Sequence, residues 1–235
     1  MRRFKVRKIS KKLFFLLLVL FSVSSFAEKG PKPDFQSWLD LMGKGKLTDR
    51  LHLFLQFNPR FSQNLSRFGF HLMRGSLDYD LPKNFQIGGG YTWAQNHLKP
   101  KTSDDEQRLH QEVTHHGKWG NVSVTNRARM EERFFEGRSA SHMVGRLRYL
   151  SRVQVPLDYM ENVSAVAWDE VWFNVNSVAQ GSQAGFDMNW AFMGVNLKVN
   201  KAIQMEMGYM LAYVHHKKKR DNLNHVMVLA MSFNF

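Results

Sequence analysis

Histidines and acids in polar segments near the ends of predicted strands are the residues best suited to acid–base chemistry. A histidine beside a carboxylate can activate water for hydrolysis. The candidates are Asp104, Asp105, His215, His216 and Asp221. A serine hydrolase also needs an activated nucleophile, and the chain has no Gly-x-Ser-x-Gly motif. We expect solvated loop side chains here and assign no catalytic residue, and a hydrolase acting on lipid, lipopolysaccharide or peptide is the alternative.

Metal binding is not indicated by the histidine pairs His115–His116 and His215–His216. Adjacent residues on a strand point to opposite faces, so each pair offers one ligand per face, and the sequence suggests no third ligand. The chain has no cysteine, which excludes thiolate metal sites and disulfides. We therefore expect neither a metal nor another cofactor.

A dense basic run lies in a polar segment near the carboxy terminus. Its residues are Lys217, Lys218, Lys219 and Arg220. Clustered cations attract phosphate groups at a lipid surface, so the run is a candidate for lipopolysaccharide contact. The simpler interpretation is a soluble loop tip. We expect no nucleic-acid partner, because the rest of the chain has no continuous basic surface.

Arginines and glutamates recur on the polar side of segments that alternate every second residue, the pattern typical of β-strands. If these side chains face a narrow enclosed space, they neutralise one another in pairs, and otherwise they form a solvated surface. The set is Arg108, Glu112, Arg127, Arg129, Glu131, Arg133, Arg146, Arg148, Arg152 and Glu170. We expect a structural charge network that fills the interior.

The amino terminus has the pattern of a secretory signal. Seven Lys or Arg precede an apolar run from Leu13 to Phe21, and small residues follow up to Ala27. Nine apolar residues are too few to span a bilayer as a helix, which needs ~20, so cleavage is favoured over an uncleaved anchor. The leader, residues 1–27, carries about half of the net charge of +13.

The remaining chain contains ten alternating segments, most of them longer than ordinary globular strands and long enough to cross a membrane at a tilt. They cover about residues 47–58, 65–78, 84–95, 106–117, 121–135, 142–155, 163–176, 185–198, 201–214 and 223–235. From residue 80 onward, short and long connections mostly alternate, as in outer-membrane barrels with short periplasmic turns. We predict an all-β, up-and-down antiparallel transmembrane barrel at 47–235, with ten strands or alternatively twelve.

Parity decides the interpretation of residues 28–46. If Trp38 to Met42 were a full strand, ended by the turn-like Gly43-Lys44-Gly45-Lys46, the amino terminus would lie outside the cell. We therefore predict a short periplasmic segment at 28–46.

Aromatic residues near predicted strand ends fit the girdles of membrane barrels. They are Tyr91, Trp93, Trp119, Trp168, Trp172, Trp190 and Tyr213. Trp168 and Trp172 share the parity of Glu170, so an interior position stays open for these two.

The last ten residues, 226–235, alternate apolar side chains and end in Phe233-Asn-Phe235. They resemble the terminal strand of bacterial outer-membrane proteins, which implies that Phe233 and Phe235 are the signal read by the barrel-assembly machinery.

The whole chain resembles a family of Gram-negative barrels, domain-of-unknown-function family 2490. The matching motifs are Trp38-Leu39, Gly90-Tyr91, 127–134 with 146–149, Gly208-Tyr209 and Asn224-His225. The resemblance implies an outer-membrane location and no established activity. We expect a structural or interaction barrel plugged by its own side chains, in contact with outer-membrane lipid. A narrow channel for small solutes is the further alternative.

Overall fold

The computed structural model describes residues 30–97, 104–136, 143–158, 160–178, 182–217 and 220–235. The predicted leader, residues 1–27, lies outside them. Within the described residues, eleven strands form a closed barrel: β1 (Lys32–Lys46), β2 (Leu51–Ser62), β3 (Arg67–Asp80), β4 (Phe85–Asn96), β5 (Asp104–Trp119), β6 (Val122–Phe135), β7 (Val144–Pro156), β8 (Val163–Asn174), β9 (Gly185–Lys198), β10 (Ile203–Val214) and β11 (Asn222–Asn234). No described helix is long and apolar enough to cross a membrane.

The predicted all-β barrel is confirmed, with a strand count between the ten and twelve expected. The strands follow one another around the barrel in chain order, and each consecutive pair is antiparallel. The shortest strands have 12 residues and the longest has 16, enough to cross a hydrocarbon layer at a tilt, which takes ~9–11.

Strand β1 corrects the prediction of a periplasmic segment at 28–46 and of a barrel that begins at residue 47. It pairs in parallel with β11 from Lys32↔Asn222 to Lys44↔Asn234. Gly43 and Gly45 belong to this strand and leave room for the Phe235 ring, since a Cβ at Gly45 would lie 2.5 Å from its Cε2 atom. A turn-like sequence therefore serves close packing at the seam, and an odd strand count makes the closing pair parallel.

The two ends of the barrel differ in their connections. The short-turn end holds the carboxy terminus and the connections 47–50, 81–84, 120–121, 157–162 and 199–202. The long-loop end holds the connection 63–66 and the described parts of the other connections, residues 97, 136, 143, 175–178, 182–184, 215–217 and 220–221. Lys32 at the start of β1 lies at the long-loop end, where its amide donates to Asp221 O (2.7 Å). The amino end of the barrel is therefore opposite its carboxy terminus.

The alternation along each strand separates an apolar outside from a polar and aromatic inside. Large apolar side chains are exposed on the outer surface, among them Leu55, Met73, Leu77, Ile87, Leu109, Val113, Leu147, Met193, Met207 and Met227. The polar side chains with little exposure are enclosed, among them Arg74, Arg108, Arg129, Glu131, Arg146, Arg148 and Glu170. This distribution is the reverse of that in a soluble sandwich, whose apolar side chains meet inside.

Candidate functional site

A charged belt crosses the lumen on strands β5 to β8. It consists of Glu106, Arg108, Glu112, Arg127, Arg129, Glu131, Arg133, Arg146, Arg148 and Glu170. The strand pairing brings these positions side by side, for example Arg108 opposite Arg133 and Arg129 opposite Arg148. Nine of the ten interior residues predicted from the sequence belong to this belt, and Glu106 is the addition.

Glu131 is the centre of the belt. Its carboxylate accepts from Arg146 NH2 at 2.5 Å and from Arg148 NH1 at 2.7 Å. Arg148 in turn donates through Nη2 to Glu170 Oε2 (2.7 Å). The other oxygen of Glu170, Oε1, accepts from Arg127 Nη2 (2.9 Å). Glu131 and Arg146 are each only 1% exposed. Each of these carboxylates therefore joins arginines of neighbouring strands, which opposes a shift in strand register.

Two further carboxylates extend the belt on both sides. Glu106 accepts from Arg108 Nε and NH2 (2.8 Å each) and pairs with Arg133. Glu112 accepts from Arg129 at 2.5 Å. The belt therefore has six arginines for four glutamates, an excess of positive charge.

Arg152 lies outside the belt. It reaches across the lumen from β7 to Glu206 on β10, with NH1–Oε1 at 2.9 Å and NH2–Oε2 at 2.5 Å. Glu206 and two interior arginines, Arg60 and Arg74, were not predicted from the sequence as interior charges. The alternation of β2, β3 and β10 would have found all three, because each lies on the polar parity of its strand.

The opposite side of the lumen is an aromatic wall formed by Trp38, Trp168, Trp172, Trp190 and Phe192. The Trp38 and Trp190 ring centroids are 4.9 Å apart, those of Trp172 and Trp190 are 4.3 Å apart, and Trp168 stacks on Phe192 at 5.0 Å. The girdle assignment was therefore wrong for Trp190, and the interior alternative holds for Trp168 and Trp172. Tyr91 and Trp119 are exposed.

Arginines connect the two walls. The Arg148 guanidinium lies 3.8 Å from the Trp172 ring centroid, and the Arg146 guanidinium lies 4.3 Å from it. Arg60 stacks over Trp38 at 3.6 Å. Stacked arginine on tryptophan is a favourable cation–π geometry. The belt and the wall therefore form one continuous layer across the lumen.

A chamber of about 420 Å³ lies on the short-turn side of this layer. Its lining runs from Arg148 and Trp172 in the layer to Lys44, Gln86 and His116 near the strand ends. His116 is exposed, so solvent reaches the chamber from that end.

The predicted rim residues are only partly brought together. His215 Nδ1 lies 3.2 Å from Asp221 Oδ1, the His216 amide donates to the same oxygen (2.7 Å), and the Tyr213 hydroxyl donates to Oδ2. Burial alone would raise the pKa of Asp221, but these hydrogen bonds and the nearby His215 lower it below the usual aspartate value. Asp105 lies elsewhere and accepts from Gln95 at 2.9 Å, and the side chain of Asp104 is outside the described structure. We call Tyr213, His215, His216 and Asp221 the rim cluster.

The basic run is described at its two ends only, since Lys218 and Lys219 lie outside the described residues. Lys217 Nζ donates to Ala184 O (3.0 Å), and Arg220 NH2 donates to Pro31 O (3.3 Å). His115 contacts the Phe85 ring at 4.7 Å, on the face opposite to His116. Over the described ranges, no three His, Cys, Asp or Glu side chains are grouped as metal ligands.

The terminal phenylalanines lie on the outer face of the seam. Phe235 is 71% exposed, and its amide donates to Lys44 O at 3.0 Å. Phe233 is 38% exposed. β11 is therefore held on both sides, by β10 and by the parallel β1.

A family described as "Protein of unknown function (DUF2490)" matches residues 35–224, which include almost all of the barrel. The chain belongs to this family. The match covers the belt, the aromatic wall and the chamber lining except Val228 and Ala230, and it begins inside β1.

Among curated proteins, an uncharacterized protein of Methylorubrum extorquens is 28% identical over 221 residues, 93% of this chain and 95% of that protein. Among solved structures, the translocator domain of the autotransporter NalP from Neisseria meningitidis has a TM-score of 0.39 at 10% identity, over 91% of this chain and 92% of that chain. The siderophore receptor PirA from Pseudomonas aeruginosa has a TM-score of 0.29 at 13% identity, over 77% and 34%.

Proposed function

We propose that this chain is an outer-membrane barrel closed by its own side chains, with a structural or interaction role and no through-channel. The observation that carries the proposal is the burial of Glu131 and Arg146 in the middle of the lumen, each 1% exposed. Ion pairs occupy the space in which a pore would hold water.

The outer surface supports a membrane location. Apolar side chains such as Leu109, Val113, Leu147 and Met193 are 45–64% exposed, although Leu109 and Leu147 alternate with the buried charges Arg108, Arg146 and Arg148 on their strands. Each Å² of apolar surface removed from water lowers the free energy by about 25 cal/mol. Acyl chains are therefore the favoured surroundings for this face. The closed hydrogen-bonded sheet leaves no open strand edge toward lipid.

Cell fractionation tests the location. We expect the chain in the outer-membrane fraction, released by detergent and retained through salt washes. Recovery as a freely soluble protein would contradict the proposal.

Deletion of Phe235 is expected to reduce the assembled fraction, because Phe233 and Phe235 are the proposed contact with the barrel-assembly machinery.

Planar-bilayer recordings test the closure. We expect no stepwise conductance from the native barrel. Replacing Glu131→Ala together with Arg146→Ala removes an acid and its partner and should open a measurable conductance. Glu132→Gln is the matched control, because Glu132 faces outward and hydrogen-bonds Gln111 (3.2 Å). A steady conductance in the native protein would favour the narrow channel.

Lipid is the proposed partner of the outer face, and lipopolysaccharide phosphates are the proposed partner of the basic run Lys217, Lys218, Lys219 and Arg220. Coulombic attraction to anionic headgroups supports this, at about 1 kcal/mol for each basic residue.

A further inference from the structure

The chamber lies between two walls of different chemistry. Eight cationic side chains line it against five carboxylates, and the other side is apolar. The carboxylates Glu112, Glu170 and Glu206 are already held by arginines. The chamber therefore has a positive excess that its own acids do not neutralise.

Several guanidinium groups in the chamber wall have donors left over. Arg74 is 9% exposed, and among the described residues its acceptors are two neutral groups, Thr92 Oγ1 and Gln56 Oε1 (3.0 Å each). Arg127 Nε and Arg129 NH1 are buried and have no hydrogen-bond partner in the described structure. Buried donors without an acceptor are unfavourable, and an anion would satisfy them with charge-assisted bonds.

The opposite side of the chamber offers flat apolar surfaces. Trp38, Trp168 and Trp190 line it together with Met210 and Val228. Trp168 is backed by Phe192, with ring planes 13° apart, and Phe192 itself does not line the chamber. Aromatic faces of this kind accept a stacked ring or a short apolar body.

We propose that the chamber binds an amphipathic organic anion, with its acidic head toward Arg74, Arg127 and Arg129 and its compact apolar body against the aromatic wall. A volume of about 420 Å³ lies within the usual range of small-molecule sites, roughly 300–1,000 Å³. A bare inorganic anion would contact only the arginine side of the chamber, and a neutral hydrocarbon would contact only the aromatic side. This site goes beyond the proposed function, because a closed structural barrel needs no ligand.

Titration calorimetry of the full chain in lipid nanodiscs tests the proposal, with 2-naphthoate as the probe and empty nanodiscs subtracted. We expect saturable binding at one site. The neutral isostere 2-naphthamide and inorganic phosphate should each bind at least about tenfold more weakly, since each lacks one of the two interactions. Signal equal to that of empty nanodiscs, or equal affinity for acid and amide, would overturn the proposal.

Variants then assign the two walls. Arg74→Gln should weaken naphthoate binding about tenfold or more. The change leaves no carboxylate unpaired. Arg50→Gln, in the exposed turn 47–50, is the control and should not change the affinity for naphthoate. Trp168→Leu should weaken naphthoate and naphthamide alike, with Trp119→Leu on the outer surface as its control. If Arg74→Gln does not fold, Lys44→Gln at the chamber mouth takes its place, with the same expected direction. Native affinity in both wall variants would refute the assignment.

Discussion

The lumen has two walls, a charged belt on β5 to β8 and an aromatic wall on β1, β8 and β9, and they are stabilised differently. The belt consists of paired charges with defined partners, such as Glu131 with Arg146 and Arg148. The aromatic wall is held by ring contacts without obligatory partners, such as Trp38 against Trp190. A buried charge depends on its partner, whereas packed rings tolerate replacement by another apolar group of similar size.

This difference predicts where substitutions do most damage. Loss of one acid from the belt takes an acceptor from buried guanidinium groups, for example from Arg146 and Arg148 when Glu131 is lost. Loss of one ring from the wall leaves a gap that neighbouring rings partly fill. Variants of the belt should therefore be less stable than variants of the wall, although the side chains of the wall are larger.

The largest effect is expected for Glu131→Gln. The change leaves Arg146 and Arg148 short of a counter-charge in a site that water does not reach, and breaking a buried pair lowers stability by about 3–5 kcal/mol. Urea unfolding of the barrel in detergent, followed by tryptophan fluorescence, measures the free energy. The control Glu132→Gln also removes one negative charge, but at the next residue, which faces outward. It should alter stability by less than about 1 kcal/mol. Equal effects would remove the distinction between belt and surface.

A smaller effect is expected for Trp190→Leu in the aromatic wall. The substitution removes ring contacts with Trp38 and Trp172, each pair contributing about 0.5–1.5 kcal/mol beyond area burial, so about 2 kcal/mol should be lost. Far-ultraviolet circular dichroism during urea unfolding measures this, because the change also alters fluorescence. Trp119→Leu on the outer surface is the control. A loss larger than that of Glu131→Gln would reverse the proposed order of the two walls.

The two walls also differ in how much of them could be predicted from sequence. The belt was predictable because parity assigns every second residue of a strand to one face, and Arg127, Arg129, Glu131 and Arg133 fall on the same face of β6. The pairing of Arg152 with Glu206 was not predictable, since it joins β7 and β10 across the lumen. The alternation gives the face of a residue and leaves its partner undetermined.

Within the aromatic wall, Trp190 was assigned to the girdle and Trp38 to the segment 28–46, while an interior position stayed open for Trp168 and Trp172. Tryptophan is stable both at a membrane interface and in an enclosed apolar surface, so residue type alone favoured the girdle for Trp190. Strand β1 was missed because Gly43 and Gly45 resemble a turn and because an even strand count was assumed. The seam with β11 joins residues about 190 positions apart in the chain, and no local pattern reports such a pairing.

The packing of the aromatic wall against the sheet gives a finer test. Gly194 and Gly208 face each other on β9 and β10, and the Phe192 ring lies over both. A Cβ at Gly208 would be 2.6 Å from Phe192 Cζ and 2.3 Å from Met193 O, so Gly208→Ala should cost about 1–2 kcal/mol through overpacking. At Gly75 the nearest atom to an added Cβ is 3.7 Å away, and Gly75→Ala should be close to neutral in the same urea assay. Equal losses would show that the ring does not depend on the glycine pair.

The smallest effect is expected at the rim cluster, where Asp221 is buried but its partner His215 is 35% exposed. Asp221→Asn weakens the contacts with Tyr213 and His215 and should lower stability at pH 7 by less than about 1 kcal/mol, because the amide keeps an acceptor oxygen and solvent screens the partly exposed His215. The pKa of Asp221 is lowered in the folded barrel, so its carboxylate stabilises the fold above the usual aspartate range, and this contribution disappears as pH falls through the lowered value. Urea midpoints of the native and variant barrels should therefore converge in strong acid and separate toward neutrality. Glu131→Gln should lower the free energy of unfolding at pH 7 several times as much as Asp221→Asn. The ratio of the two losses compares the contribution of a charge enclosed in the lumen with that of a charge at the rim.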